Sequence, residues 1–356
     1  MNLEKLGWTS SFEEAFRSFG EDGLTPGRIS AGFTHLYRVL TGEGELLAEV
    51  AGRFRHQAGG PEDFPAVGDW VALEPRPDEG RATIHAVLPR KSAFVRKTAG
   101  DTVLAQVLAA NLDTVFLVAG LDRDFNPRRI ERALVLAWES GAVPVVLLNK
   151  ADLCAVADTD ARKAEVEAVA PGVPVHVVSG RSGDGMEALA PYLAPGLTVA
   201  LLGSSGVGKS TIVNRLLGEE RQRTSEVREH DQRGRHTTTY RELIVLPGGA
   251  VLVDTPGLRE IQLWGTEEGL ETAFDDVARL ATGCRFHDCR HRGEPGCAVL
   301  AAVEAGELDE GRLASHRKLE AELRHLAVKA DLGLEAEQKA KWRSIHKAQR
   351  KNRPRE

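Results

Sequence analysis

Between Ile29 and Lys97 the apolar and polar positions alternate in short runs. Phe33-Thr34-His35-Leu36-Tyr37-Arg38-Val39 has the period of two that marks a strand with one buried face, and Leu46–Arg53, Trp70–Leu73 and Ala82–Leu88 repeat it at regular spacing. Gly42-Glu43-Gly44, Val67-Gly68-Asp69 and Pro75-Arg76-Pro77 supply the turns between them. About five short strands parted by such signals predict a small β-barrel.

After Asp101 the pattern changes. Thr114–Ala119, Val143–Leu148, Val173–Val178 and Leu197–Leu202 are apolar runs of the kind that both faces of a parallel strand bury. Helical stretches stand between and after them at Arg128–Ser140, Ala161–Ala170, Met186–Leu193 and Thr211–Leu217, with Pro127 suited to a first helical turn. Two more strands, Tyr240–Leu246 and Val251–Val253, close the block. This alternation predicts a doubly wound α/β domain with its ligands at the carboxyl ends of the strands. Leu308–Lys329 and Ala336–Gln349 read as charged helices, and Phe12, Phe16 and Phe19 give the N-terminus a short amphipathic helix. The expected segments are an N-terminal extension over 1–28, the barrel over 29–98, the α/β domain over 99–262 and a further module over 263–356.

Composition sharpens this outline at a few points. A chain of 356 residues has room for two or three domains. No apolar run approaches the roughly 18 residues of a membrane helix. The first twenty residues carry Glu4, Glu13 and Glu14 without an apolar block, so no signal peptide is expected and the expected compartment is the cytoplasm. Net charge is −6, yet from Gln338 to Arg355 every charged residue is basic, which points to a polyanionic partner. Arg38, Arg53, Arg55, Arg90, Lys91, Arg96 and Lys97 make the barrel stretch basic too. An oligonucleotide-binding (OB) type barrel is therefore preferred over one that only packs against its neighbour.

The strongest chemical signal is Gly203-Ser204-Ser205-Gly206-Val207-Gly208-Lys209-Ser210-Thr211, a G-x-x-x-x-G-K-S loop between an apolar run and a helix. Backbone amides of such a loop and the helix N-terminus hold polyphosphate, Lys209 reaches the β and γ phosphates, and the Ser210 hydroxyl ligates Mg²⁺. Asn149-Lys150-Ala151-Asp152 directly follows a strand. A carboxylate at Asp152 can accept from both N1–H and the exocyclic amine of guanine, a donor pair adenine lacks, so the wrong base leaves it unpaired. Asn149 can brace the loops, the Lys150 stem can lie along the base, and the Ser179-Gly180-Arg181-Ser182-Gly183 loop can meet the guanine carbonyl. Asp254-Thr255-Pro256-Gly257 offers Asp254 to the Mg²⁺ through water and the Gly257 N–H to the γ phosphate. One of Thr237, Thr238 and Thr239 is expected to complete the metal shell, with Thr238 placed at the nucleotide.

Three of the chain's four cysteines fall in one window, Cys284, Cys289 and Cys297, which with His291 reads C-x4-C-x-H-x5-C. Three thiolates and an imidazole make a closed tetrahedral Zn²⁺ shell. His287 competes for the fourth place; the C-x-H spacing favours His291.

These motifs resemble those of translation-factor-type GTPases, in rotated order: Asn149–Asp152 precede Gly203–Ser210, which precede Thr237–Thr239 and Asp254–Gly257. With the barrel and the cysteine window, the chain resembles the ribosome small-subunit-dependent GTPase A family, circularly permuted GTPases of bacterial ribosome biogenesis. The resemblance implies an OB barrel, a permuted GTPase domain and a zinc-binding module with a basic helical tail. It also implies GTP hydrolysis stimulated by the small ribosomal subunit, contact with its rRNA and departure after hydrolysis. A monomer with no membrane partner is the expectation. Leu258 stands where many GTPases carry a water-orienting glutamine, so slow intrinsic turnover is expected, with His236 the candidate water-positioning group. The alternative is an RNA-binding scaffold that uses GTP as a clamp with little turnover.

Overall fold

The computed structural model describes residues 2–34, 36–97, 105–123, 125–219, 241–254, 267–325 and 328. They form two compact units, one of 1–95 with 107–261 and one of 96–106 with 262–356. Helix 336–349, His236, Thr237–Thr239 and Thr255–Leu258 of the sequence reading lie outside the described residues.

In the first unit, β1 (Thr25–Gly32), β2 (Tyr37–Thr41), β3 (Glu45–Val50), β4 (Trp70–Arg76) and β5 (Arg81–Val87) neighbour one another in the order β1-β2-β3-β5-β4. β4 returns to β1 from Thr25↔Leu73 to Arg28↔Trp70, which closes the barrel. Only β3–β5 is parallel, as an OB Greek key requires. Ile29, Val39, Val71, Leu73 and Ile84 fill the interior. The alternation across Phe33–Val39 is no single strand: the chain turns there, Phe33 N–H donating to Leu36 O at 2.8 Å. β1 also opens earlier than the predicted Ile29. Gly27 lies in this strand where a Cβ would sit 2.5 Å from Val39 and 2.7 Å from Leu73, so only a bare Cα fits.

Helix α1 (Ser10–Glu21) and a preceding 3₁₀ turn (Glu4–Leu6) close one side of this barrel, while α2 (Gly52–Gln57) follows β3 and buries none of its residues. Trp8 meets the fully buried Trp70 edge-on at 4.7 Å, and Phe12 joins them at 5.9 Å from each. Arg28 is buried beside Trp70. Its guanidinium donates to Leu6 O, to Gly68 O at 3.2 Å, to Asn111 O at 3.3 Å and to Thr198 Oγ1 at 2.9 Å. Burial pushes its pKa down to about 10, with Asp113 and Asp69 opposing the shift. One arginine thus ties the N-terminal turn, the barrel and the α/β domain together.

After a ribbon of β6 (Ala93–Lys97) and β7 (Ala105–Ala110), the strands are β8 (Thr114–Gly120), β9 (Val143–Asn149), β10 (Val175–Val177), β11 (Thr198–Leu202), β12 (Glu242–Val245) and β13 (Val251–Asp254). Their order is β10-β9-β8-β11-β13-β12, parallel except for β12. β12 also pairs with β1 at Ala31↔Glu242, so barrel and α/β domain share one 11-stranded sheet. Helix α3 (Pro127–Ser140) has the predicted boundaries for visible reasons: the Asn126 side chain accepts from Arg128 N–H, Pro127 sits at N1, and left-handed Gly141 stops it. Helix α4 (Val156–Val169) starts ahead of the predicted Ala161, and Met186–Tyr192 is a 3₁₀ stretch containing Pro191, which cannot complete an α-helical ladder. α5 (Lys209–Leu217) follows the glycine-rich loop.

In the second unit, α6 (Glu267–Ala273), α7 (Asp275–Ala281), α8 (Ala298–Glu304) and α9 (310–325) surround the cysteine window. The buried Arg312 guanidinium ties α9 to α6 and α7: it pairs with both Asp276 carboxylate oxygens at 2.5 and 2.8 Å, donates to Ala273 O and lies 4.5 Å over the Phe274 ring.

Candidate functional site

The parallel register brings the chemistry to one edge of the sheet. Gly120 at the end of β8 pairs with Asn149 at the end of β9, and Leu148 pairs with Val177 of β10. Leu202, the last residue of β11, pairs with Leu117 of β8, and Ala200 with Val253 of β13. The loops starting at Gly203, Lys150 and Ser179 therefore leave the sheet side by side with the β13 end at Asp254, although they come from distant parts of the chain.

The phosphate-loop conformation depends on glycine. Gly203 has φ 156° and Gly208 φ 95°; a Cβ would stand 2.3 Å from Val118 O at the first and 2.3 Å from Asn149 Nδ2 at the second. Val207 is buried, while Ser205 and Gly206 are exposed; Ser204, Ser210 and Thr211 are half-buried. Lys209 Nζ donates to Gly203 O and Ser204 O at 2.6 Å each, which places the ammonium across the loop.

Asn149 performs the bracing read from the sequence. It is 2% exposed, its Nδ2 donates to Val207 O at 2.8 Å, and its Oδ1 accepts from Gly180 N–H at 2.9 Å. One amide joins the phosphate loop to the loop after β10. Asp152 is exposed, with Oδ1 accepting from the buried Ser179 hydroxyl at 2.6 Å. Ser179 Oγ in turn accepts from Ser182 N–H at 3.0 Å, and Ser179 N–H donates to Asp184 O at 2.8 Å. The Ser179 hydroxyl thus orients the Asp152 carboxylate. Lys150 has a left-handed backbone, φ 69°, and its ammonium meets Asp122. Asp122 has no motif signature and was missed; its place two residues beyond the β8 end was the available signal. Asp254 closes β13 at the same edge.

In the second unit, ligand atoms of Cys284, Cys289, His291 and Cys297 lie within 4.8 Å of one another. Cys284 Sγ is 3.8 Å from Cys297 Sγ, and His291 Nδ1 is 3.6 and 3.4 Å from those two sulfurs. Bonds of about 2.3 Å to sulfur and 2.0–2.1 Å to nitrogen give a tetrahedron edges of about 3.6–3.8 Å. The cluster therefore fits structural zinc, and the imidazole that stands beside the three cysteines is that of His291 rather than His287. Burial disfavours the Cys284 thiolate, but the Val299 and Ala298 N–H groups opening α8 and the neighbouring thiols outweigh it and hold its pKa below the usual thiol value. Glu294 shapes the turn between ligands. Its carboxylate accepts from Arg290, Arg292 and Gly293 N–H groups at 3.0, 2.6 and 3.1 Å, and its own N–H and that of Arg292 lead in lowering its pKa to about 2.

A central phosphate-loop strand β11, flanked by β8 and β13, with the base-reading segments encoded ahead of it, defines a circularly permuted P-loop GTPase joined to an OB barrel. Known proteins agree. The family model for the RsgA GTPase matches residues 87–264. The chain is 50% identical over 98% of its length to the Opitutus terrae protein named Small ribosomal subunit biogenesis GTPase RsgA, covering 97% of that protein. It is 46% identical over 97% of its length to the protein of that name in Syntrophotalea carbinolica, covering 96% of it. The crystal structure of YjeQ from Thermotoga maritima aligns with TM-score 0.64 and 29% identity, over 85% of this chain and 99% of that one. YloQ, described as a circularly permuted GTPase, shares the fold with TM-score 0.63 at 24% identity, over 85% of this chain and 96% of its own. The chain belongs to the RsgA GTPase family and is a GTP hydrolase, acting on GTP with Mg²⁺.

Proposed function

We propose that this GTPase binds the small ribosomal subunit and acts in its late maturation, hydrolysing GTP under stimulation by the particle and leaving afterwards. The observation that carries this reading is the near full-length likeness, 50% identity over 98% of the chain, to a protein named for small-subunit biogenesis. The site residues take these roles: Asp152 reads guanine, with Asn149, Lys150 and Ser179 supporting it. The amides of Gly203–Gly208 with Lys209 and Thr211 hold the phosphates. Ser210, Asp254 and Thr238 serve the Mg²⁺, and Gly257 meets the γ phosphate. His236 positions the attacking water once the particle has completed the geometry, since Leu258 cannot orient it.

The OB barrel and the basic tail from Gln338 to Arg355 supply rRNA contacts. The chain works as a monomer in the cytoplasm, without a membrane partner; among the described residues no helix is long and apolar enough to cross a membrane. GTP hydrolysis measured with and without purified small subunits tests the reading. Multiple-turnover phosphate release that rises with added subunits is the expected result. Binding that tightens with GTP while turnover stays flat supports the clamp-like scaffold instead.

A further inference from the structure

The loop after β8 belongs to no nucleotide motif, yet it is fastened to the segment from Asn149 to Cys154 at three points. Leu121 N–H donates to Asn149 O at 2.8 Å. The Cys154 thiol donates to Leu121 O at 2.6 Å, which fixes the far end of the 3₁₀ turn Ala151–Leu153. Between these, Lys150 Nζ donates to Asp122 Oδ2 at 2.5 Å. The pairing is built in by register, since Gly120 stands opposite Asn149 and residues 122 and 150 leave adjacent strand ends. Gly120 leaves the carboxylate room, since a Cβ there would come within 3.1 Å of Asp122 Oδ1 and crowd it. Lys150 and Asp122 side chains are only 21% and 30% exposed, so water screens the pair less than it screens a surface ion pair.

From this geometry we infer that Asp122 is a positioning residue for guanine-nucleotide binding: its carboxylate anchors the Lys150 ammonium so that the lysine methylenes form one wall of the base slot. The inference rests on the guanine-site reading above. A lysine stem lies flat against a base only if its head is held, and a free four-carbon chain loses conformational entropy on ordering. Asp122 orders it before the nucleotide arrives. The wall touches the base, which GTP and GDP share, and not the phosphates.

The test measures binding of fluorescently labelled GDP and a non-hydrolysable GTP analogue to the full-length protein. Asp122→Asn should weaken both equally, by about five- to tenfold. Asp122→Glu should recover most of the loss. In a Lys150→Ala background, Asp122→Asn should add nothing, because the group it anchors is gone. Unliganded melting temperatures check that each variant folds, and the coupling measurement separates positioning from general destabilisation. Unchanged affinity, a loss confined to the GTP analogue, or full additivity with Lys150→Ala overturns the inference. Asp152→Asn, assayed for xanthosine against guanosine nucleotides, tells the two levels apart. Retained guanine preference brings down the slot reading and this role with it. A switch to xanthine beside a silent Asp122→Asn removes the Asp122 role alone.

Discussion

Asn149→Ala removes one side chain and unties two loops. The amide donates to Val207 O and accepts from Gly180 N–H, and Asn149, Val207 and Gly180 are all buried. Truncation leaves a buried carbonyl and a buried N–H without partners, each at about 1–3 kcal/mol. Two such groups amount to about 2–6 kcal/mol, and water entering the gap recovers part, so about 3 kcal/mol is the expected loss. For a unit of this size each kcal/mol moves the melting temperature by about 2–4 °C, which gives a fall of about 6–12 °C. If half of that energy was holding the phosphate loop in its binding geometry, nucleotide affinity falls about tenfold as well. Calorimetric melting and equilibrium binding of labelled GDP read the two effects. Asn149→Asp divides them: it keeps the acceptor for Gly180 N–H and turns a carboxylate oxygen toward Val207 O, so it should damage the phosphate loop more than the loop after β10. Wild-type melting and wild-type affinity in Asn149→Ala would refute the reasoning, since the two bonds would then be worth nothing.

Removing the metal with a strong chelator, or Cys297→Ala, should unfold the second unit by circular dichroism while GTP binding in the first survives; an intact second unit without metal would contradict the zinc assignment. His236→Ala should lower particle-stimulated turnover and leave nucleotide affinity unchanged; full stimulated rate would remove its water-positioning role. Association with small subunits should fall steeply with salt, and deleting 338–356 should flatten the slope, because each phosphate contact releases counterions. A slope that the deletion does not change would argue against rRNA contact by the tail.

Strong local patterns carried the fold into the sequence. The apolar runs that became β8, β9 and β11 needed no context, because a strand buried on both faces is apolar throughout. The phosphate loop and the zinc ligands were legible for a similar reason, as their chemistry is local in the chain. What was hidden depended on partners remote in sequence. The N-terminal segment had no interpretable pattern beyond three phenylalanines, yet Arg28, Trp70 and Thr198 together give it a seat. Asp122 looks like any loop aspartate until the register of β8 against β9 sets it beside Lys150. The strand read across Phe33–Val39 failed because alternation does not record a reversal of direction, and the early start of β1 was hidden because the need for Gly27 lies in Val39 and Leu73.

The Ala31↔Glu242 pairing has a bearing on how this protein can be cut. β12 has β13 on one side and β1 on the other, and the Arg38 guanidinium lies 3.6 Å from the Glu242 carboxylate across the junction. A fragment beginning at residue 99 would strip β12 of its outer neighbour and present bare N–H and C=O groups to solvent, a template for self-association. Barrel and nucleotide domain are thus poor modules for dissection or exchange between relatives: a chimera must carry β1 together with the β12 it was matched to, or leave the sheet with a frayed hem.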